Sequence, residues 1–206
     1  MTALDLRALA ARTGEIYQLN AARFDRERSR SLIERGWLER FCAGLPEGGH
    51  VLDAGCGAGE PIARYLIERG FALTGLDISP AMLAIAKARF GDQHWVCADM
   101  RKLAFRRRFD GIIAWHSFFH LPPEDHAPTL AGFAAHLVPG GMLMVTTGPE
   151  AGEVVGHVGD DLVYHASLAP SHYEPILAAN GMQTVAFVAE DPECDGASVL
   201  QARRIG

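Results

Sequence analysis

Short apolar runs alternate with longer stretches in which apolar residues recur at helical spacing, and this alternation dominates the middle of the chain. Val51-Leu52, Leu73–Leu76, His94–Cys97, Phe109–Ala114 and the end of His136–Thr147 each read as a buried strand. Between them lie helical segments; in one, Ser79-Pro80 supplies an N-cap and a first-turn proline, and Met82, Leu83, Ile85 and Ala86 form an apolar face. Strands alternating with helices predict a doubly wound α/β fold, a mostly parallel sheet joined by right-handed crossovers. Before this core, Leu4, Leu6, Leu9 and Ala10 share one helical face, and Leu32, Ile33, Trp37, Leu38 and Phe41 another. After Thr147 the pattern loosens. Gly148–Ser171 carries glycines at 148, 152, 156 and 159 and reads as loop-rich, although LVYHASL fits an additional short strand. His172–Asn180 reads as a helix stopped by Gly181, followed by strands over Gln183–Ala189 and Ser198–Arg203 on either side of the turn-rich DPECDG. At 206 residues the expectation is one domain: a helical cap over 1–45, a ligand-binding core over 46–147, and a loop with the last strands over 148–206.

The densest chemical signal is VLDAGCGAGEP, from Val51 to Pro61. A buried strand runs into Gly55, Gly57 and Gly59, a turn with so little side-chain bulk that a ligand can rest on its backbone. The helix expected next would offer unpaired N–H groups to an electronegative part of that ligand. A dinucleotide fingerprint would read G-x-G-x-x-G, with a pyrophosphate on the helix end. Here the third glycine falls one place early, and Glu60 stands at the helix mouth, where it would compete with a pyrophosphate for the positive helix end. The turn therefore suits a phosphate-free ligand that tolerates or carries positive charge, and argues against NAD and FAD.

Further signals follow in order: Asp77 at the end of the second strand, Ala98-Asp99-Met100 after the third, WHSFFHLPPED after the fourth, and Pro139-Gly140-Gly141 before the fifth. Together with the glycine turn, this series resembles the class I S-adenosylmethionine-dependent methyltransferases over roughly Leu45–Thr147. The resemblance implies their Rossmann-like fold, a seven-stranded, mostly parallel sheet whose last two strands pair antiparallel at the edge. It implies S-adenosyl-L-methionine as cofactor, S-adenosyl-L-homocysteine as product, and a small-molecule methyl acceptor. By the same resemblance Asp53, Gly55, Cys56, Gly57 and Gly59 surround the methionine end, Asp77 holds the ribose, Asp99 with Met100 holds the adenine, Ile78 and Met82 lie on the cofactor side, and Trp115 closes the cleft near the sulfur. An N-terminal segment covers the cofactor in related small-molecule enzymes, which draws attention to Tyr17, Asn20, Arg23, Phe24 and Arg28.

The acceptor side offers His116 and His120, four residues apart and on one face if that segment is helical, as candidates for a catalytic base or substrate hydrogen-bonder. Packing beside Phe118 and Phe119 explains them equally well. His157, Tyr164 and His165 belong to the segment that would close over the acceptor. No histidine or cysteine spacing suggests a metal; Cys42, Cys56, Cys97 and Cys194 fit reduced thiols in a cytoplasm. The N-terminus reads as lacking a signal peptide, and no apolar run approaches a membrane span. A net charge of −6 disfavours a nucleic-acid partner; the Arg106-Arg107-Arg108 cluster reads as a solvated loop. Nothing after the fourth strand matches the Asn-Pro-Pro-Tyr motif of base-methylating enzymes. Oligomeric state and the acceptor atom (O, N, S or C) leave no mark on the sequence. The alternative function is a non-catalytic S-adenosylmethionine-binding sensor or regulatory module, which would keep the cofactor cradle without turnover.

Overall fold

The computed structural model of the chain describes residues 5–91 and 93–206; Leu4, from the first apolar face, lies outside them. The elements are α1 (Leu6–Ala11), α2 (Thr13–Glu27), α3 (Arg35–Ala43), β1 (His50–Ala54), α4 (Ile62–Glu68), β2 (Ala72–Asp77), α5 (Pro80–Phe90), β3 (His94–Cys97), β4 (Phe109–Ala114), α6 (Pro123–His136), β5 (Leu137–Thr147), β6 (Gly152–Val158), β7 (Asp161–Ser167), α7 (Pro170–Ala179), β8 (Met182–Asp191) and β9 (Ala197–Arg204). Seven strands form one sheet in the order β3-β2-β1-β4-β5-β9-β8. The first five run parallel, and β9 is antiparallel to both β5 and β8, the edge arrangement implied by the sequence.

The central strands β1, β2, β4 and β5 are largely apolar because both sheet faces are covered there. The period of two decides which face each residue serves: Leu52, Ile112 and Leu143 pack with Leu130 and Phe133 of α6 and Tyr173 and Leu177 of α7. Their neighbours Val51, Ile113 and Met144 pack on the other face with Trp37, Leu38 and Phe41 of α3 and Ile62, Tyr65 and Leu66 of α4. Ile33, grouped above with the α3 face, instead precedes that helix and is exposed. The Pro-Gly-Gly segment is a bulge inside β5 rather than a turn before it: Phe109 pairs with Leu137, but Gly111 pairs with Met142.

The segment read as a long loop is largely ordered strand. Val158 pairs with Asp161 across the Gly159-Asp160 turn, and seven residue pairs extend the β6–β7 hairpin to Gly152–Ser167. This ribbon is not part of the main sheet. It packs instead on α1 and α2 through Leu9, Ile16, Val158, Val163, Tyr164 and Ala166. Arg23 donates to Asp160 at 2.7 Å and Asn20 donates to Asp161 at 2.7 Å, tying the hairpin to α2. Cap helices and hairpin together roof the C-terminal ends of β1, β2 and β4, where an open α/β sheet exposes its crevice.

Candidate active site

A cavity of about 490 Å³ lies under that roof, and Asp53, Gly55, Cys56, Gly57, Asp77, Ile78, Met82, Asp99, Met100, Trp115, His116 and His120 all line it. Of the residues that the resemblance assigns to the cofactor, Gly59 alone does not reach the cavity. A Cβ there would lie 2.6 Å from the ring of Phe90, so this glycine serves packing between the turn and α5. Gly55 is required twice over: its φ is +79°, and a Cβ would fall 2.3 Å from Cβ of Ser117. The helix expected after the turn is α4, with Pro61 at its N-cap, and its first residue, Ile62, lines the cavity. Carboxylates flank the same turn.

Asp77 organises the turn. One of its oxygens accepts from the Gly57 N–H and the other from the Ser79 N–H, both at 2.8 Å. Asp53 lies next to it on β1, is 2% exposed, and has one oxygen, Oδ2, with no hydrogen-bond partner among the described residues. Burial, reinforced by the neighbouring Asp77 charge, raises its pKa to about 7. The third anticipated acid, Asp99, is engaged by Arg101 through both oxygens, at 2.6–3.0 Å, and Arg101 reaches on to Asp125 of α6. Despite burial, this pairing holds the Asp99 pKa below its ordinary value. Glu60, read above as a free acid at the mouth, is held by Arg64 at 2.6–3.0 Å, so Asp53 and Asp77 carry the negative character of the turn.

The opposite wall is aromatic. His120 ends a short 3₁₀ turn over Phe118–His120, whereas His116 precedes it with a left-handed backbone (φ 49°), so the two histidines share a cavity but not a helical face. His120 is 9% exposed and hydrogen-bonded at both ring nitrogens: Nδ1 to the Tyr164 carbonyl at 2.9 Å and Nε2 to the Tyr17 hydroxyl at 2.9 Å. A carbonyl only accepts, so Nδ1 carries the proton and Tyr17 donates to Nε2. Desolvation lowers the His120 pKa to about 4 and raises that of Tyr17, leaving both neutral. The accessible face of His116 looks into the same cavity, where lost hydration and the nearby Arg28 charge lower its pKa to about 4. Phe119 and His165 complete the wall, their ring centroids 4.7 Å apart.

Residues 51–141 match a family described as a methyltransferase domain. The putative methyltransferase YqeM of Bacillus subtilis is 35% identical over 102 residues, covering 48% of this chain and 40% of that protein. A malonyl-[acyl-carrier protein] O-methyltransferase of Pseudescherichia vulneris is 33% identical over 150 residues, covering 71% of this chain and 56% of the relative. Residues 51–141 are thus similar to a methyltransferase domain. The same fold recurs in SAM-bound CalS10, an amino pentose methyltransferase from Micromonospora echinaspora, with a TM-score of 0.70 at 21% identity over 90% of this chain and 96% of that one. The chain thus spans about half the length of these curated relatives and nearly all of the structural neighbour.

Around this core, the cap contributes what motif reading singles out only in part. Tyr17, Phe24 and Arg28 line the cavity, while Asn20 and Arg23 turn outward to the hairpin. From the hairpin, His157 and His165 line it and Tyr164 contributes only its backbone carbonyl. Ser117 was not anticipated: its hydroxyl donates to the Ala54 carbonyl at 2.7 Å and its Cβ fills the space beside Gly55. Arg101, which fixes Asp99, was missed too, although its adjacency to the Asp99-Met100 motif was a usable signal. Gln18, Asp25 and Arg89 carry no local signal at all.

Proposed function

We propose that this chain transfers a methyl group from S-adenosylmethionine to a small organic acceptor. The observation that carries this reading is Asp53 Oδ2, a buried carboxylate oxygen without a partner among the described residues, in a cavity whose floor is a glycine turn. Leaving such an atom unpaired costs about 1–3 kcal/mol or more, and a ligand ammonium relieves that cost. The remaining residues suit the rest of the same cofactor. Asp77 keeps lone pairs on both oxygens for a ribose diol, and Asp99, Met100 and Ile78 suit the adenine. Arg28 lines the cavity and would face the cofactor's carboxylate. Once bound, S-adenosylmethionine supplies an electrophilic methyl on a cationic sulfur, so the protein's work is to position the acceptor and exclude water.

The acceptor would lie against Tyr17, His116, Phe119, His120 and His165. A small-molecule acceptor fits a cavity of this size, and the relative and structural neighbour named above are methyltransferases of a malonyl-[acyl-carrier protein] and of an amino pentose. Neutral imidazoles with pKa about 4 are weak bases at pH 7, which suits an acceptor needing little help to lose its proton. His116, with no ring hydrogen bond to the protein, would receive such a proton, while Tyr17 and His120 would orient the acceptor. Among the described residues, no helix is long and apolar enough to cross a membrane and no group of side chains is arranged to hold a metal ion. Calorimetry with S-adenosylhomocysteine tests the cradle, and transfer of label from methyl-labelled S-adenosylmethionine into a panel of small acceptors tests turnover. A folded protein that binds neither form of the cofactor would refute the proposal.

A further inference from the structure

Helix α2 touches both segments that would hold the cofactor, and it does so through polar contacts rather than apolar packing alone. Near its N-terminal end, Gln18 Oε1 accepts from Ser79 Oγ and from the Ala81 N–H, each at 2.9 Å, two residues and more beyond Asp77. Near its C-terminal end, Asp25 accepts from both terminal nitrogens of Arg89, at 2.7 and 2.9 Å. The same guanidinium donates at 3.0 Å to the carbonyl of Ala58, inside the glycine turn. The Arg89 and Asp25 side chains are only 19% and 16% exposed, so water screens this pair far less than the exposed Arg23–Asp160 link to the hairpin. One side chain of α5 thus ties the cap to the turn on which the ligand would rest.

We infer that Arg89 and Asp25 form a latch that keeps α2 closed over the cofactor turn, and that Arg89 is a positioning residue whose release sets how fast the cofactor leaves. This rests on the function proposed above. A bidentate, partly buried pair is among the stronger polar contacts available, and its geometry admits no close substitute: lysine's single ammonium lacks the planar fork that grips both Asp25 oxygens through separate nitrogens while holding the Ala58 carbonyl. Opening the latch removes the polar tie between α2 and the Ala58 carbonyl while the Gln18 contacts, the Ala21–Ala58–Met82 packing and the Arg23–Asp160 pair remain, so the C-terminal half of α2 loosens over the turn.

The test compares wild type with Asp25→Asn, Arg89→Lys and the outlying control Arg23→Gln. Dissociation of S-adenosylhomocysteine is followed by stopped-flow fluorescence, and amide exchange over residues 13–27 is followed by mass spectrometry in the free protein. Asp25→Asn and Arg89→Lys are expected to speed dissociation about tenfold and to accelerate exchange in 13–27, whereas Arg23→Gln changes dissociation little. Unchanged dissociation in both latch variants, or an equal effect of Arg23→Gln, would overturn the latch. Should one latch variant fail to fold, the other decides the question. Failure of wild type to bind S-adenosylhomocysteine would instead remove the function proposed above, and the exchange comparison in free protein would still report whether the pair holds α2 down.

Discussion

Replacing Asp53 by asparagine probes the cofactor cradle most sharply, because the same change should stabilise the fold and weaken the site. The Asp53 pKa is about 7 in the folded chain against an ordinary 3.8. Below about pH 4 both folded and unfolded chains hold the proton; between about 4 and 7 only the folded chain does; above about 7 neither does, and the folded state bears the whole cost of the buried charge. A difference of about three units corresponds to about 4 kcal/mol at 1.36 kcal/mol per unit. Asparagine removes that charge but leaves its own amide short of partners, a penalty of about 1–3 kcal/mol. The net expectation at pH 8.5 is a gain of about 1–3 kcal/mol, or about 2–4 °C in Tm per kcal/mol for a domain of this size. At pH 4.5, where the folded wild type is already neutral, the gain disappears. S-adenosylhomocysteine should bind the variant about 10- to 100-fold more weakly, the loss of one charge-assisted hydrogen bond. Melting curves at the two pH values and calorimetry at pH 8 supply the measurements. A Tm difference independent of pH would show that Asp53 titrates as an ordinary carboxylate, and unchanged affinity would show that it does not meet the ligand.

Asp77→Ala should weaken S-adenosylhomocysteine binding by about 1–3 kcal/mol and also lower Tm, since it strands the Gly57 and Ser79 amides; calorimetry and melting curves separate the two effects. Gly55→Ala places a Cβ 2.3 Å from Ser117 at a φ of +79°, so a stability loss of about 2–5 kcal/mol is expected in a denaturant titration, and a loss under 1 kcal/mol would contradict the geometry. Tyr17→Phe removes the donor to His120 and should cut kcat about tenfold while leaving S-adenosylhomocysteine affinity within about twofold; equal losses in both would place Tyr17 on the cofactor instead. Because His116 and His120 stay neutral down to about pH 4, kcat should show no histidine ionisation between about pH 5.5 and 8. Affinity for the cofactor should still rise with pH as Asp53 ionises near 7.

The parts of this molecule written in local sequence are those fixed by short-range physics. Buried strands announce themselves as apolar runs, Ser79-Pro80 announces the start of α5, and Gly55 reports a backbone that only glycine adopts easily. Acids at strand ends fall at the crevice because the topology puts all such ends on one edge. The hairpin was obscured for a local reason as well. Its three glycines resemble loop composition, yet Gly159 makes the turn and Gly156 sits against the His165 ring, where any Cβ would fall 2.6 Å from Cε1. The polar pairings of the site were illegible because they join distant positions: Tyr17 meets His120 across 103 residues, and Asp25 meets Arg89 across 64. The ion pair of Glu60 with Arg64, one helical turn away, escaped reading because it forms only where the chain turns into α4.

Two separate stretches of chain, helices α1 and α2 before the sheet and the hairpin inserted after its fifth strand, meet above the cavity and pack on each other. The aromatic wall draws on both, with Tyr17 from one stretch and His165 from the other. Acceptor preference can therefore drift by paired replacement of these two stretches while the carboxylate-bearing floor stays untouched. A chimera that swaps only one of them would inherit a mismatched seam, and specificity in such a scaffold should be transplanted as a matched set.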